Sequence, residues 1–436
     1  MAKAKWVLLI LVPLLLAPFL QVSQQPNVQA TALTGDDWPM FQHDSAHTGV
    51  TTSSGPTKPV KLWSYVEGHF DGFFIGSSAA VVNGIAYVGS NWANNYDKNG
   101  NALLGGNIYA FNAYTGAKIW EYPTQSPVYS SPAVYENVVY IGVGTNVAAF
   151  NSATGKLIWS FRTAGLVDSS PAVVNGVVYI GSEDDNVYAL AAGTGAQIWA
   201  YKTGNGVDSS PAVVNGLVYV GSGDGYLYAL DAARGGLEWK YNAGRSIESS
   251  PCVSSGVVYV CADNSNVTAI NALTGAEIWT AQVQPPIEDG LQTSPVTENG
   301  LLFISNSYFG LAAFNASSGS VVWSTQGYSF VGSPSVANGT VYVGNVAFNI
   351  STGRQLWSFH TGNQINASPA VSNGVYIASQ DGNFYAIGRP SGIIYLWPAG
   401  TVISIETFWL ILFISAITIA FVITVIIKIK KNKIEH

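Results

Sequence analysis

Asp168, Asp208 and Glu248 recur at a fixed interval of 40 residues, each two places before a serine. Carboxylates brought close together raise one another's pKa or recruit a cation. A Ca²⁺ or cationic-ligand site is the sharper reading of this trio. The plainer one is that Asp and Glu cap backbone N–H groups at a loop end. Other chemistry is sparse. His43 and His47 are four apart, but no Cys or carboxylate completes a zinc set, and they read as loop histidines. Asp97-Lys98-Asn99-Gly100-Asn101 has a faint likeness to a calcium loop, but its Gly and its closing Glu are misplaced. There is no nucleophile elbow and no phosphate loop. Asp184, Asp224, Asp263 and Asp381 fall at a recurring turn and read as turn formers.

What positions these residues is a repeat. VDSSPAVVNGVVYIGSEDDNVYAL (167–190) is rewritten 40 residues later as VDSSPAVVNGLVYVGSGDGYLYAL (207–230). An anchor serine recurs at Ser78, Ser131, Ser170, Ser210, Ser250, Ser294, Ser333 and Ser368. A tryptophan recurs at Trp63, Trp120, Trp159, Trp199, Trp239, Trp279, Trp323 and Trp357. A fixed period of this size signals a repeat architecture. Within one unit the β-rich runs are separated by Asn215-Gly216, Gly223-Asp224-Gly225 and Arg234-Gly235, which divide it into four short strands. Four antiparallel strands per period make one propeller blade, and blades bury their faces by stacking in a ring. Trp63 precedes the first anchor, and the last anchor has no well-spaced Trp after it. Lys61–Tyr65 is therefore expected to complete the final blade, giving an all-β, eight-bladed propeller of four-stranded antiparallel blades. Ile393–Trp397 is the rival for that outer strand. Burying a Trp removes roughly 150–250 Å², or ~4–6 kcal/mol as an upper bound, so all eight read as blade-to-blade packing.

The pattern in FNAYTGAKIW (111–120) and INALTGAEIW (270–279) resembles the pyrroloquinoline-quinone (PQQ)-like β-propeller repeat. DDWPMFQHDSAHTG (36–49) resembles a segment that often precedes such propellers. The resemblance covers about residues 36–390 and is specific for fold. It implies one of several functions: a quinone-dependent alcohol or sugar dehydrogenase using PQQ beside Ca²⁺, a scaffold like the lipoprotein of bacterial outer-membrane assembly, or a surface protein of another role. The quinone enzymes of the family carry an adjacent-cysteine ring, and this sequence has none. Its two cysteines, Cys252 and Cys261, are nine apart. The hairpin register puts them on one sheet face, diagonally offset, which makes them a candidate disulfide.

Loop lengths separate two faces of the ring. The hairpin after each anchor and the turn before each Trp are nearly constant. The other two connections vary. Trp92–Gly106 is inserted in the first unit, extra residues stand around Gly68–Phe74 and Gln284–Gly290, and the link after Gly344 is short. Recognition usually sits on scaffold-borne loops, so the variable face is the expected binding face. Trp92, Tyr96 and Asp97 are its rim or lid candidates, and its partner is expected to be a protein or glycan.

Residues 31–402 hold 23 acids and 12 bases, a net of −11 within an overall −7, which argues against nucleic acid. Lys3 and Lys5 precede the apolar run 6–20, and Val28-Gln29-Ala30 follows as a small-residue cleavage site, so 1–30 reads as a signal peptide, with a retained anchor as the alternative. Residues 31–60 lead into the propeller at 61–390, and 391–406 form a stem. The apolar stretch 407–427 is long enough to span a bilayer, and the basic tail 428–436 orients it with the tail in the cytoplasm. The expectation is a single-pass cell-membrane protein with its propeller outside. Sequons at Asn266 and Asn366 are glycosylation candidates; those at Asn315, Asn338 and Asn349 fall at turn positions of the repeat. No cofactor is assigned. The leading function is binding or scaffolding, and the alternative is a PQQ- and Ca²⁺-dependent dehydrogenase.

Overall fold

The fourth blade shows how one repeat folds. Asn215 and Gly216 both take positive φ, 51° and 79°, as a two-residue primed turn demands. The turn sets Ala212–Val214 against Leu217–Gly221, with Val214 opposite Leu217. Leu217–Gly221 then pairs with Tyr226–Asp231. At the next turn Asp231 accepts from the N–H groups of Ala233 and Arg234. Leu237–Asn242 closes the blade, with a bulge between Ala229 and Leu230 that repeats in the other blades.

A computed structural model describes residues 37–66, 73–74, 77–96, 102–283, 291–388, 393–396 and 401–404. The described chain forms eight antiparallel blades plus one separate hairpin. Lys61–Val66 pairs with Asn383–Ile387, so the start of the chain supplies the outer strand of the eighth blade. Its rival, Ile393–Leu396, instead pairs with Thr401–Ser404. The segments 1–30, 407–427 and 428–436 lie outside the described residues. Among the described residues no helix is long and apolar enough to cross a membrane.

Two hydrogen-bond systems join the blades. Seven of the repeat tryptophans, Trp63 through Trp323, donate their indole N–H to a backbone carbonyl of the next blade, and Trp357 donates to Pro56 in the segment leading to Lys61, all at 2.7–3.1 Å. The turn glycine of that next blade lies flat on the ring: a Cβ on Gly155 would stand 2.6 Å from Trp120, and one on Gly195 2.6 Å from Trp159. Nearer the axis the anchor serines form a closed circuit. The N–H of Ser78 donates to the hydroxyl of Ser131, Ser131 to Ser170, and so on to Ser368, which returns to Ser78, all at 2.9–3.0 Å.

The segment before the first blade runs as a strap across the innermost strands. Trp38 exchanges two backbone hydrogen bonds with Val81 of the first blade. Pro39 then accepts from Val134, Ser45 from Val213, Ala46 from Val253 and Gly49 from Val336, in the second, fourth, fifth and seventh blades. Val50–Thr51 pairs in parallel with the inner strand of the seventh blade. The Ser53 hydroxyl accepts from Asn373 in the eighth. Every one of these contacts falls beside the hairpin after an anchor serine, so the strap lies on the uniform face. His47 is buried there, its Nδ1 3.2 Å from the Pro251 carbonyl, and burial pushes its pKa down to about 4. Gln42 is buried with both amide atoms unpartnered.

The expected disulfide is not formed: Cys252 and Cys261 are free and buried. Cys252 sits opposite Tyr259, two residues short of Cys261, so the two are diagonal neighbours. Diagonal pairs stand roughly 7–8 Å apart, beyond ordinary disulfide reach. Cys252 instead turns its sulfur to Thr297 Oγ1 of the next blade, at 3.6 Å.

Candidate functional site

The opposite end of the channel is built from two positions of each repeat. The first is two residues before the anchor serine, where the innermost strand enters. The described residues there are Tyr129, Asp168, Asp208, Glu248, Gln292, Val331 and Asn366. The second lies just past the second strand, where Asn91, Glu183, Gly223, Asp263 and Gln380 are among the occupants. The fold thus brings Asp168, Asp208 and Glu248 together, and adds Glu183 and Asp263 to them.

The five acids feel one another. Asp168 is pushed up to about 6 by burial, then by Glu183 and Asp208. Burial and Asp208 raise Glu183, burial raises Asp208, and burial and Asp208 raise Glu248. Asp263 is pushed up to about 6 by burial and Glu248, against the opposing pull of Arg245. Gln292 Nε2 donates to Glu248 at 2.9 Å, which offsets a little of this. Burial and Asp168 also raise the phenol of Tyr129, which is hydrogen-bonded to Asn91. Between the fourth and fifth blades the mouth opens into a cavity of about 670 Å³ lined by Asp224, Arg245, Asp263 and Asn264, among others.

The turn aspartates behave differently. Burial works to raise Asp184, but hydrogen bonds from the Ala164 N–H, Asn186 and Tyr188 outweigh it and hold the carboxyl low. Asp381 repeats this pattern, accepting from Gly362 and Tyr385, and Asp224 makes the corresponding hydrogen bonds, accepting from Gly204 and Tyr228. In the fifth blade Asn264, not Asp263, holds that place: its Oδ1 accepts from Asn266 and its Nδ2 donates to the Ala243 carbonyl. The reading of Asp263 as a turn former is therefore corrected by one residue. It aligns with Glu183 and joins the mouth, with Oδ1 buried and unpartnered.

The inserted segment also finds its place. Asn91–Tyr96 pairs with the lengthened strand Ala102–Asn112, with Trp92 opposite Gly105 and Tyr96 opposite Ala102. Phe73–Phe74 pairs with the other edge of Asn91–Tyr96, Phe73 opposite Trp92. Two of the length variations are thus one added sheet on the first blade. Asp97 lies outside the described residues. Asn266 is half-buried at the start of a third strand. Asn366 is half-buried in the mouth ring. His43 and His47 belong to the strap, away from the mouth. Among the described residues no three His, Cys, Asp or Glu side chains converge on a point that could hold a metal ion.

A family model described as outer membrane protein assembly factor BamB matches residues 104–207, 183–287 and 263–394. The solved structure of BamB from Moraxella catarrhalis is 18% identical and covers 76% of this chain and 97% of its own, with a TM-score of 0.61. The quinohemoprotein alcohol dehydrogenase from Comamonas testosteroni is 17% identical and covers 87% of this chain and 85% of its own, with a TM-score of 0.68. A europium-containing methanol dehydrogenase is 14% identical, covers 79% and 90%, and has a TM-score of 0.64. No curated protein matches the chain. At these identities the structural likeness is one of fold.

Proposed function

The chain belongs to the PQQ_2 family, described as outer membrane protein assembly factor BamB, and from that premise we propose that it is a binding module that docks a protein partner through its variable face. In this reading the propeller stands outside the cell, tethered by residues 407–427, and carries out no chemistry of its own. The observation that carries the reading is the contrast between the faces. One is crossed by a strap and closed by short turns. The other carries an added sheet, a polar cavity and five interacting acids. A scaffold fold with one sculpted face is the ordinary arrangement for recognition.

The quinone-bearing proteins of similar fold raise a second reading, a PQQ- and Ca²⁺-dependent dehydrogenase. PQQ is a tricarboxylate, and the mouth would meet it with carboxylates. The acids stand on three different blades, and no three of the described side chains that ligate metals converge on one point that could bridge the charges. The free cysteines are buried within the fifth blade's sheet. The residues present do not fit the group, and no reaction step is derived through it.

The test uses photo-crosslinking residues in the full chain in its native membrane. Positions 96, 129 and 308 sample the variable face and positions 175, 215 and 299 the hairpins of the uniform face. Discrete adducts are expected from the first set. Adducts from the second set alone would overturn the reading. A parallel titration with PQQ plus Ca²⁺, following melting temperature and dye reduction, checks the alternative.

A further inference from the structure

Resting on the variable face as the binding face, the geometry points to an organic cation as the ligand of the channel mouth, one that presents several N–H donors along a flexible chain. The five acids supply the charge, on three consecutive blades. A second observation comes from groups that carry no charge. Asn91 Oδ1 and Asn366 Oδ1 are buried without a partner, as is Asp263 Oδ1. Asn91 is 2% exposed, and its side chain engages Tyr129, which stands beside Asp168. A buried acceptor left open costs free energy until a donor arrives. All three open atoms are oxygens, and all three sit on the two residue positions that build the mouth.

The acceptors run in an arc. Asn366 in the eighth blade is followed by Asn91 in the first, Tyr129 in the second, Asp168 and Glu183 in the third, Asp208 in the fourth, and Glu248 and Asp263 in the fifth. An arc spread over six blades suits a ligand with separated donors better than a single ion. A lone metal needs its ligands on one point, within about 2.6 Å of it for Ca²⁺, and the described side chains offer no such point. Ammonium and guanidinium groups carry donors and no acceptor, so they match carboxylates and open carbonyl oxygens together. The strap occupies the other end, which leaves the mouth as the face on which such a chain is received.

The same chemistry has two sources, a free aliphatic polyamine or the basic side chains of a peptide. Full-length protein in detergent is titrated calorimetrically at 150 mM NaCl with spermine, with a tetra-arginine peptide, and with CaCl₂ at matched ionic strength. One-to-one saturable binding of at least one organic cation is expected, at least tenfold tighter than Ca²⁺, and the tighter of the two names the source. The Asp168→Asn/Asp208→Asn double variant and Asn91→Leu should each weaken it about tenfold. Glu121→Gln/Glu238→Gln, the same charge change on outer strands, should leave it unchanged. Melting curves verify that each variant is folded, and Asn91→Gln serves as the milder replacement should Asn91→Leu fail to fold. Absence of saturable binding, equal weakening by the outer-strand pair, or binding of Ca²⁺ as tight as the organic cations overturns the inference. Should binding fail while crosslinks still form from the variable face, the inference falls and the proposed function stands. Crosslinks from the uniform face alone would remove the proposed function whatever the titration shows.

Discussion

The two ends of the channel treat polar groups in opposite ways. At the strap end, backbone donors of the inner strands are met by strap carbonyls, and a neutral histidine is buried among them. At the mouth, carboxylates gather against their own repulsion, and Arg245 acts on one of them, Asp263. One end spends its polar groups on holding the ring closed. The other leaves them for something else. The difference predicts that substitutions between blades or at the strap lower stability, whereas substitutions at the mouth leave it unchanged or raise it.

The largest effect belongs to the packing shared by both ends. Trp199 is buried, donates to the Ala232 carbonyl and lies under Gly235. Trp199→Ala should lose about 3–5 kcal/mol in urea denaturation, as large-to-small core changes do. A loss below about 1 kcal/mol would mean that the blades hold together by other means.

Next comes pH, where the two ends should pull in opposite directions. His47 is held at about 4 when folded, against an ordinary 6.5. The unfolded chain therefore takes up a proton that the strap refuses. The stability this gives is present above about 6.5 and lost as pH falls through 4, about 3 kcal/mol in all. Asp168 and Asp263 stand near 6 when folded, against an ordinary 3.8. Their contribution is present below about 3.8 and is lost as pH rises through 6. The two windows overlap between about pH 4 and 6 with opposite slopes, so in a plot of unfolding free energy against pH His47→Asn should remove the rise across that window and Asp168→Asn should remove part of the fall. If the double variant departed from the sum of the two single changes, the two ends would not be separate.

A smaller effect probes the serine circuit. Ser210→Ala removes the acceptor for the Ser170 N–H, which is buried. An orphaned buried donor costs about 1–3 kcal/mol, read as a shift in the denaturation midpoint. Ser210→Thr, which keeps the hydroxyl, should recover part of it.

These residues were not equally legible in the sequence. The period, the Asn-Gly turns and the offset Trp63 were enough for eight blades and for closure by Lys61–Val66, because each depends on local φ preferences or on counting. The anchor serines were visible as markers, but their partners lie 35 to 53 residues away, or 290 at the closing step, and nothing local names them. The strap was harder still. DDWPMFQHDSAHTG does not repeat, so periodicity says nothing of its path across the blades. Glu183 was hidden beside the turn residue Asp184. Asp263 was misplaced by one residue because the fifth blade writes Cys-Ala where the third and fourth write Gly-Ser, which removes the landmark for counting. The disulfide expectation came from a shared sheet face and gave too little weight to the diagonal offset.

The smallest effect is the most discriminating, because its sign differs from the rest. Asp208 and Asp224 lie in the same blade, 16 residues apart. Asp224 is fully engaged, accepting from the Gly204 N–H, the Tyr226 N–H and the Tyr228 hydroxyl. Asp224→Ala should therefore lose on the order of 1–2 kcal/mol. Asp208 keeps much of its surface in water even though the surrounding walls partly desolvate its carboxyl, and it raises the carboxyls of Asp168, Glu183 and Glu248 around it. Asp208→Asn removes that repulsion and should raise the unfolding midpoint at pH 7.5. The gain should not exceed about 1 kcal/mol, because solvent and salt screen an exposed charge. Repeating the measurement at 20 and 500 mM NaCl separates charge from packing. A gain that shrinks with salt locates the strain in the acids themselves. A loss, or a gain indifferent to salt, would mean that Asp208 caps the loop like its neighbour Asp224, and that the mouth is one more structural end of the channel.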